Sequence, residues 1–193
     1  MFTLGPSHQQ VEWEPRMRGY FGVGVERLSK PMNAGSLFRS AHAFGASFIF
    51  TIDSDLSLSE ARSDTSEAWK QLPFYRFDSA GTMTLPKGCA VVGIEFLEEA
   101  TELPSFRHPP QAAYVLGPER GNLSDELLGR CDHVIRIPTQ FCVNVGIASA
   151  IVMYDRMLTV GRFAERPVAP SGIPVPLPEH VQGVPVIRKA DVG

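Results

Sequence analysis

The chain has 193 residues, 44% of them hydrophobic, with 18 Lys+Arg against 21 Asp+Glu and a net charge of −3. This length fits one domain plus a tail, and the acidic balance excludes a protein that grips nucleic acid by bulk positive charge. No apolar run reaches the roughly 18 residues of a membrane span, and residues 1–18 are polar, without a basic-then-apolar leader. Three cysteines without metal-ligand spacing, Cys89, Cys131 and Cys142, read as reduced, mostly buried thiols of a cytosolic protein.

In chain order, residues 1–18 form an N-terminal extension, and residues 19–26 (GYFGVGVE) a glycine-rich apolar strand. Gly22 and Gly24 suggest a dinucleotide fingerprint, but Arg27 stands where its third glycine belongs and no acidic residue is placed for a ribose. In the helix that follows, Leu37, Ala41 and Phe44 share one apolar face, Arg39 points away from it, and Gly45 is the stop. Residues 47–52 are a second strand. The polar stretch 53–72 is too long for a simple connection and predicts a functional loop with a short helix near Glu67–Leu72. Residues 89–96 are a nearly continuous apolar run, as in a central parallel strand, and 112–117 and 133–137 are two more strands. Ser124 caps a short helix with Asp125 and Glu126 in its first turn. The last helix, about 145–162, places Ile147, Ile151, Tyr154 and Leu158 on one stripe. Residues 167–193 hold six of the sixteen prolines and read as an extended tail. The pattern predicts one α/β domain over residues 19–166, with a mainly parallel sheet flanked by helices.

Ligands of such sheets bind in the loops at the carboxyl ends of the strands. One such loop carries Gly117, Glu119 and Gly121; another runs through Pro138 to Asn144 at a helix start. The first has no Lys-Ser/Thr after its last glycine, so it is not a P-loop. Glycine there lets a flat ligand such as an adenine or a ribose approach the backbone, and Asn144 can fix its own loop by side-chain to backbone bonds. The five histidines form no zinc pattern, and there is no nucleophile elbow. His133 opens a strand and reads as structural. Trp13 and Trp69 are isolated and make no base-stacking platform.

Three segments, taken together, carry a resemblance. Asn33-x-Gly35-x-x-x-Arg39, Gly117-Pro118-Glu119-Arg120-Gly121 and Cys142-Val143-Asn144-Val145-Gly146 resemble, in order, the three motifs of the SpoU (TrmH-like) RNA methyltransferases of the SPOUT superfamily. They span roughly residues 20–160. Cys142 and Gly146 depart from the motif, which usually has serine at both places. The resemblance implies a SPOUT-type α/β fold with a C-terminal trefoil knot, and a homodimer with a site shared between chains. It implies S-adenosylmethionine as cofactor, held by Ile94, Gly117, Gly121, Ile137, Cys142 and Asn144. The reaction implied is methyl transfer to a ribose 2′-oxygen of RNA, with Asn33, Arg39, Glu119 and Asn144 as the catalytic set. Members aimed at rRNA often carry an extra N-terminal domain, for which the segment before residue 31 has no room, so the expected substrate is tRNA rather than rRNA. The resemblance implies neither a metal nor a membrane.

On the residues alone, Arg39 is a solvated helix arginine; the resemblance implies that it enters a catalytic site across the dimer interface. Acting literally as a base, its guanidinium would have to move from a pKa above ~12 to near 7, at a cost on the order of 7 kcal/mol. Its expected role is therefore positioning and charge stabilisation on the RNA phosphate. Arg16, Arg18, Arg27 and Arg62 are further candidate RNA contacts. Two alternatives stand beside this reading: methylation of a base nitrogen on the same scaffold, and an RNA-binding protein that kept the fold without catalysis, for which the lost serines and the acidic charge speak.

Overall fold

The computed structural model describes residues 19–54 and 68–161. Within them, β1 (Tyr20–Glu26), α1 (Pro31–Ala43) and β2 (Phe48–Ile52) open the fold, followed by α2 (Ala68–Gln71) and β3 (Phe74–Phe77). After these come β4 (Ala90–Ile94), β5 (Thr101–Glu102), β6 (Gln111–Leu116), α3 (Asp125–Leu128), β7 (His133–Arg136) and α4 (Val145–Val160). All seven strands pair in parallel, in the order β3-β2-β1-β6-β4-β7-β5. The α/β parallel sheet expected from the apolar runs is present. Two strands were not legible: β3 and β5 lie at the two sheet edges, where one face or both meet water, and β5 is only two residues long. Arg16, Arg18, Arg62, Trp13 and the proline-rich segment 167–193 lie outside the described residues.

The strand sequences fit burial on both faces. Phe21, Val23 and Val25 of β1 join a core with Leu37, Phe38 and Ala41 of α1 and Val152 and Met153 of α4. On the other face, Phe48, Phe50 and Ile52 of β2 pack with Val91, Val115 and Leu127. Gly22 and Gly24 point toward this second face. A Cβ on Gly22 would come within 2.2 Å of the Phe48 ring, and one on Gly24 within 2.3 Å of the Phe50 ring. The two glycines therefore make room for a stacked pair of phenyl rings, 6.0 Å apart, rather than for a nucleotide.

The structure adds a side to one sequence reading and corrects another. The stripe Ile147, Ile151, Tyr154 of α4 exists, but it faces outward: these residues are 57%, 37% and 48% exposed, whereas Val145, Ala148, Ser149, Val152, Met153 and Arg156 face the core. The cysteines are also less buried than expected, with Cys89 and Cys131 half-buried and Cys142 exposed on the loop before α4. His133 is exposed and sits edge-on to Phe106, 5.4 Å away, in keeping with a structural role.

At the strand starts, α4 is tied to the sheet by a buried polar chain. Arg156, 1% exposed, donates to the carbonyls of Pro109 (2.6 Å) and Pro110 (2.8 Å), and its guanidinium lies 5.2 Å from the Phe21 ring centre. It also donates to the Tyr114 phenol (3.1 Å), which in turn bonds His108 Nδ1. His108 Nε2 reaches Asp155 at 2.9 Å. The Asp155 carboxylate can only accept, so Nε2 donates to it; in the neutral ring that burial favours, Nδ1 then accepts from the Tyr114 hydroxyl. Burial pushes the Tyr114 phenol up to about 12. Burial also pulls His108 below 6.5, overriding the opposing attraction of Asp155.

A histidine held neutral in the fold takes up protons more readily when unfolded, so its contribution is intact above pH 6.5 and is lost as pH falls through the folded-state value. Urea unfolding at pH 5 and pH 7.5 should show this loss in the wild type and a flatter profile in His108→Gln. Arg156→Leu leaves two carbonyls and a phenol without a donor, and should cost about 3 kcal/mol or more in the same assay.

Candidate active site

Four strands of the middle of the sheet, β1, β6, β4 and β7, end side by side, and each runs into a loop that faces the same space. Glu119, in the loop after β6, joins these loops. Its carboxylate accepts bonds from the Ser29 backbone N–H (3.4 Å) and hydroxyl (3.1 Å), the Lys30 N–H (3.2 Å) and Asn33 Nδ2 (3.0 Å). The N-cap residue of α1, Lys30, has no side-chain acceptor of its own. A carboxylate some 90 residues later in the chain therefore takes over the cap and meets the positive end of the helix. Asn33 passes the link on, since its Oδ1 accepts from Asn144 Nδ2 at 3.1 Å. Asn144 is the N-cap of α4, and its Oδ1 accepts from the Gly146 N–H at 2.9 Å. Three separated segments are thus joined in one line: Gly146 to Asn144, Asn144 to Asn33, Asn33 to Glu119.

Partial burial pushes the Glu119 carboxyl upward, but its own backbone N–H, Asn33 and Ser29 together pull harder, and the net value lies below 4.5. Two further glutamates, each ending an apolar strand, hold the rest of the loop. Glu26 accepts from the Ser124 N–H (2.8 Å) and hydroxyl, and Glu95 accepts from the N–H groups of Leu123 (2.7 Å) and Phe96 (2.9 Å). The motifs VGVE and VVGIE carried that signal: a charge closing a buried strand needs partners, and here loop amides are among the partners of both.

The loops enclose a cavity of about 490 Å³, within the roughly 300–1,000 Å³ of small-molecule sites. Every cofactor residue expected from the sequence lines it: Ile94, Gly117, Gly121, Ile137, Cys142 and Asn144, together with Asn33 and Glu119. Leu116, Val143 and Val145 supply apolar walls, and Lys30, Glu95 and Arg136 are lining residues that sequence reasoning missed. Gly117 keeps the floor open, because a Cβ there would lie 3.3 Å from both the Leu123 nitrogen and Glu95 Oε2. Gly121 holds a left-handed φ of +97°, which only glycine adopts readily. Arg39 is not among the lining residues. It is exposed on α1, as the helix periodicity predicts, beside Ser36 and Ser40. Among the described residues no group of three or more His, Cys, Asp or Glu could hold a metal, and no helix is long and apolar enough to cross a membrane.

Comparison with known proteins places this architecture. Residues 21–154 match the SpoU rRNA Methylase family, and the chain belongs to it. A curated relative, the tRNA (guanosine(18)-2'-O)-methyltransferase TARBP1 of Mus musculus, is 26% identical over 145 residues, 69% of this chain. This chain spans only 9% of that relative's length. An AdoMet-bound rRNA methyltransferase from Sinorhizobium meliloti is 23% identical, covering 74% of this chain and 57% of its own, with a TM-score of 0.64. A structure solved in work on the 2-OH methylation of C/U34 on tRNA is 21% identical over 74% of this chain and 97% of its own, also with a TM-score of 0.64. At these identities the structural likeness establishes the fold.

Removing the carboxylate should release the start of α1 and loosen the link that runs through Asn33 to Asn144. Glu119→Ala is expected to cost about 1–3 kcal/mol and to speed amide exchange at Ser29 and Lys30, read by hydrogen–deuterium exchange. Because its carboxyl is depressed, this stabilisation is present above pH 4.5 and is lost as pH falls through the folded value. The variant should lack that acid limb.

Proposed function

We propose that the protein transfers a methyl group from S-adenosylmethionine to a ribose 2′-oxygen of RNA, and that the RNA is a tRNA. The observation that carries this is the bonded line Glu119–Asn33–Asn144, which draws the three family motifs around one cavity of cofactor size. The cavity suits the cofactor: Ile94, Leu116, Ile137 and Val143 offer an apolar slot for a flat base, and the glycines at 117 and 121 expose backbone along its edge. When bound, the cofactor's sulfonium supplies an activated methyl group. The chain's own part is to fix the loops, keep water out of the slot and bring the ribose oxygen into line. Glu119 and both asparagines do the first of these through the bonds described, and much of the cofactor contact is then through backbone. Cys142 in place of serine is compatible with that. The tRNA preference is supported by the C/U34 structure, whose chain this one covers almost entirely.

We further infer a homodimer and the knotted threading of the family. The outward face of α4 and α1 carries Met32, Ile147, Ile151 and Tyr154, and together with Ser36 and Ser40 it lines a groove of about 660 Å³. Apolar surface of this kind, continuous with a site, favours an isologous partner. Arg39 borders the groove on the Ser36–Ser40 side, so in a dimer it reaches the partner's cavity rather than its own. Its role there is to hold an RNA phosphate and stabilise charge, which needs a planar fork that lysine lacks.

Methyl-labelled S-adenosylmethionine incubated with RNA from cells lacking this gene, followed by nucleoside mass spectrometry, tests the reaction. Label in a 2′-O-methyl nucleoside of tRNA is the expected result. Label on a base overturns the ribose assignment, and cofactor binding without transfer to any RNA favours a binding protein. Ile151→Arg should give a monomer by light scattering and abolish transfer. Arg39→Ala and Asn144→Ala should each be inactive alone, whereas mixed dimers should recover activity at one of their two sites. Recovery fails if Arg39 serves its own chain.

A further inference from the structure

On the other side of Pro118 and Glu119 from the cofactor-sized cavity, a second cleft of about 480 Å³ opens to the surface. It is lined by Arg27, Ser29, Lys30, Pro118, Glu119 and Arg120, and the two spaces share Lys30, Pro118 and Glu119 as a common wall. Three cations face this concavity in a chain whose net charge is −3. The one carboxylate among them is already committed, accepting four bonds from Ser29, Lys30 and Asn33. Lys30 and Arg120 are exposed, and neither side chain pairs with any described residue.

Arg27 is held differently. Its backbone takes a left-handed φ of 49°, fixed by its N–H bond to the Ile52 carbonyl at 2.8 Å. A residue with a side chain in this region is strained, and such strain gathers at ligand clamps. The guanidinium donates to the Asn122 carbonyl at 2.7 Å and lies 3.4 Å from the buried Glu26 carboxylate, yet the side chain remains 43% exposed. Two contacts leave most of its five N–H donors open. The cleft therefore combines one fixed fork with two long, unpaired cations.

We propose that this cleft seats an RNA phosphodiester next to the nucleotide being methylated. This rests on the reading of the protein as an RNA methyltransferase, and it names a subsite of that function. A phosphate matches the charge and the fork geometry. The shared wall sets it beside the cofactor cavity, where phosphate contacts fix register and orientation without reading sequence. It also shows how an acidic chain binds an anionic polymer: through a local cleft, not a basic face.

The test uses the full chain and two probes. Binding of tRNA is measured against salt for the wild type, Arg120→Ala and the Lys30→Ala/Arg120→Ala double variant, with melting temperature as the fold control. Arg120 lines the cleft but not the cofactor cavity, so its variant should keep its affinity for S-adenosylmethionine. The expected result is weaker RNA binding and a log–log salt slope reduced by about one for each cation removed. Folded variants with unchanged affinity and slope overturn the cleft while leaving the methyltransferase reading intact. The second probe is a uridine dinucleotide, with and without a 5′-phosphate, followed by backbone amide shifts of Lys30 and Arg120. If the wild type neither binds nor methylates RNA, the functional reading falls; shifts that depend on the 5′-phosphate would still support an anion site, and their absence would overturn it.

Discussion

The site depends on one carboxylate placed where three chain segments need an acceptor. Glu119 takes the amides that α1 leaves open at its start, and through Asn33 it reaches the cap of α4. The chemistry requires this residue type. Ionised, a glutamate has only acceptors to offer, and a helix start surrounded by N–H groups is an environment that favours its charge. A glutamine would turn half of that head group into a donor facing other donors. The arrangement fixes the relative position of two helix starts and one loop with no metal or disulfide among them.

The sheet separates two tasks. At the strand starts, Arg156, Tyr114, His108 and Asp155 form a buried chain that locks α4 onto β1 and β6, far from the loops. At the strand ends, glutamates at the end of β1, just after β4 and in the loop after β6 hold backbone amides. The two polar clusters are built from different residue types for different reasons. The first must satisfy a cation that never meets water; the second must hold loop backbone still while leaving a cavity open beside it.

Much of this was legible in the sequence. The five interior strands announced themselves as apolar runs, Ser124 and Asn144 as helix caps, and the three motifs as one site whose lining the fold brings together. What stayed hidden depended on neighbours that sequence does not show. The edge strand Phe74–Phe77 has no alternation because both its exposed and its covered positions are aromatic or charged. Ile147, Ile151 and Tyr154 follow helical periodicity perfectly well, but periodicity says which residues share a face, not which face the sheet covers; the small residues Gly146, Ala148 and Ser149 let α4 approach closely on the other side. Nothing in the sequence marks Arg156 as buried, because the carbonyls of Pro109 and Pro110 that hold it come from a distant segment. Gly22 and Gly24 lacked the rest of a dinucleotide fingerprint, and the rings of Phe48 and Phe50 above them supply the reason the sequence did not show.

The line from Glu119 to Gly146 also sets an order of events. Its donors at Ser29, Lys30 and Asn33 leave the ribosome about ninety residues before their acceptor, and Asn144 follows last of all. Until Glu119 has emerged α1 has no acceptor at its start, and until α4 has docked the cavity lacks one wall. A nascent chain that has emerged only as far as β6 therefore has a sheet but no site. The cavity is closed only by the residues at the start of α4, so it exists as a cavity only in a chain that includes the last helix.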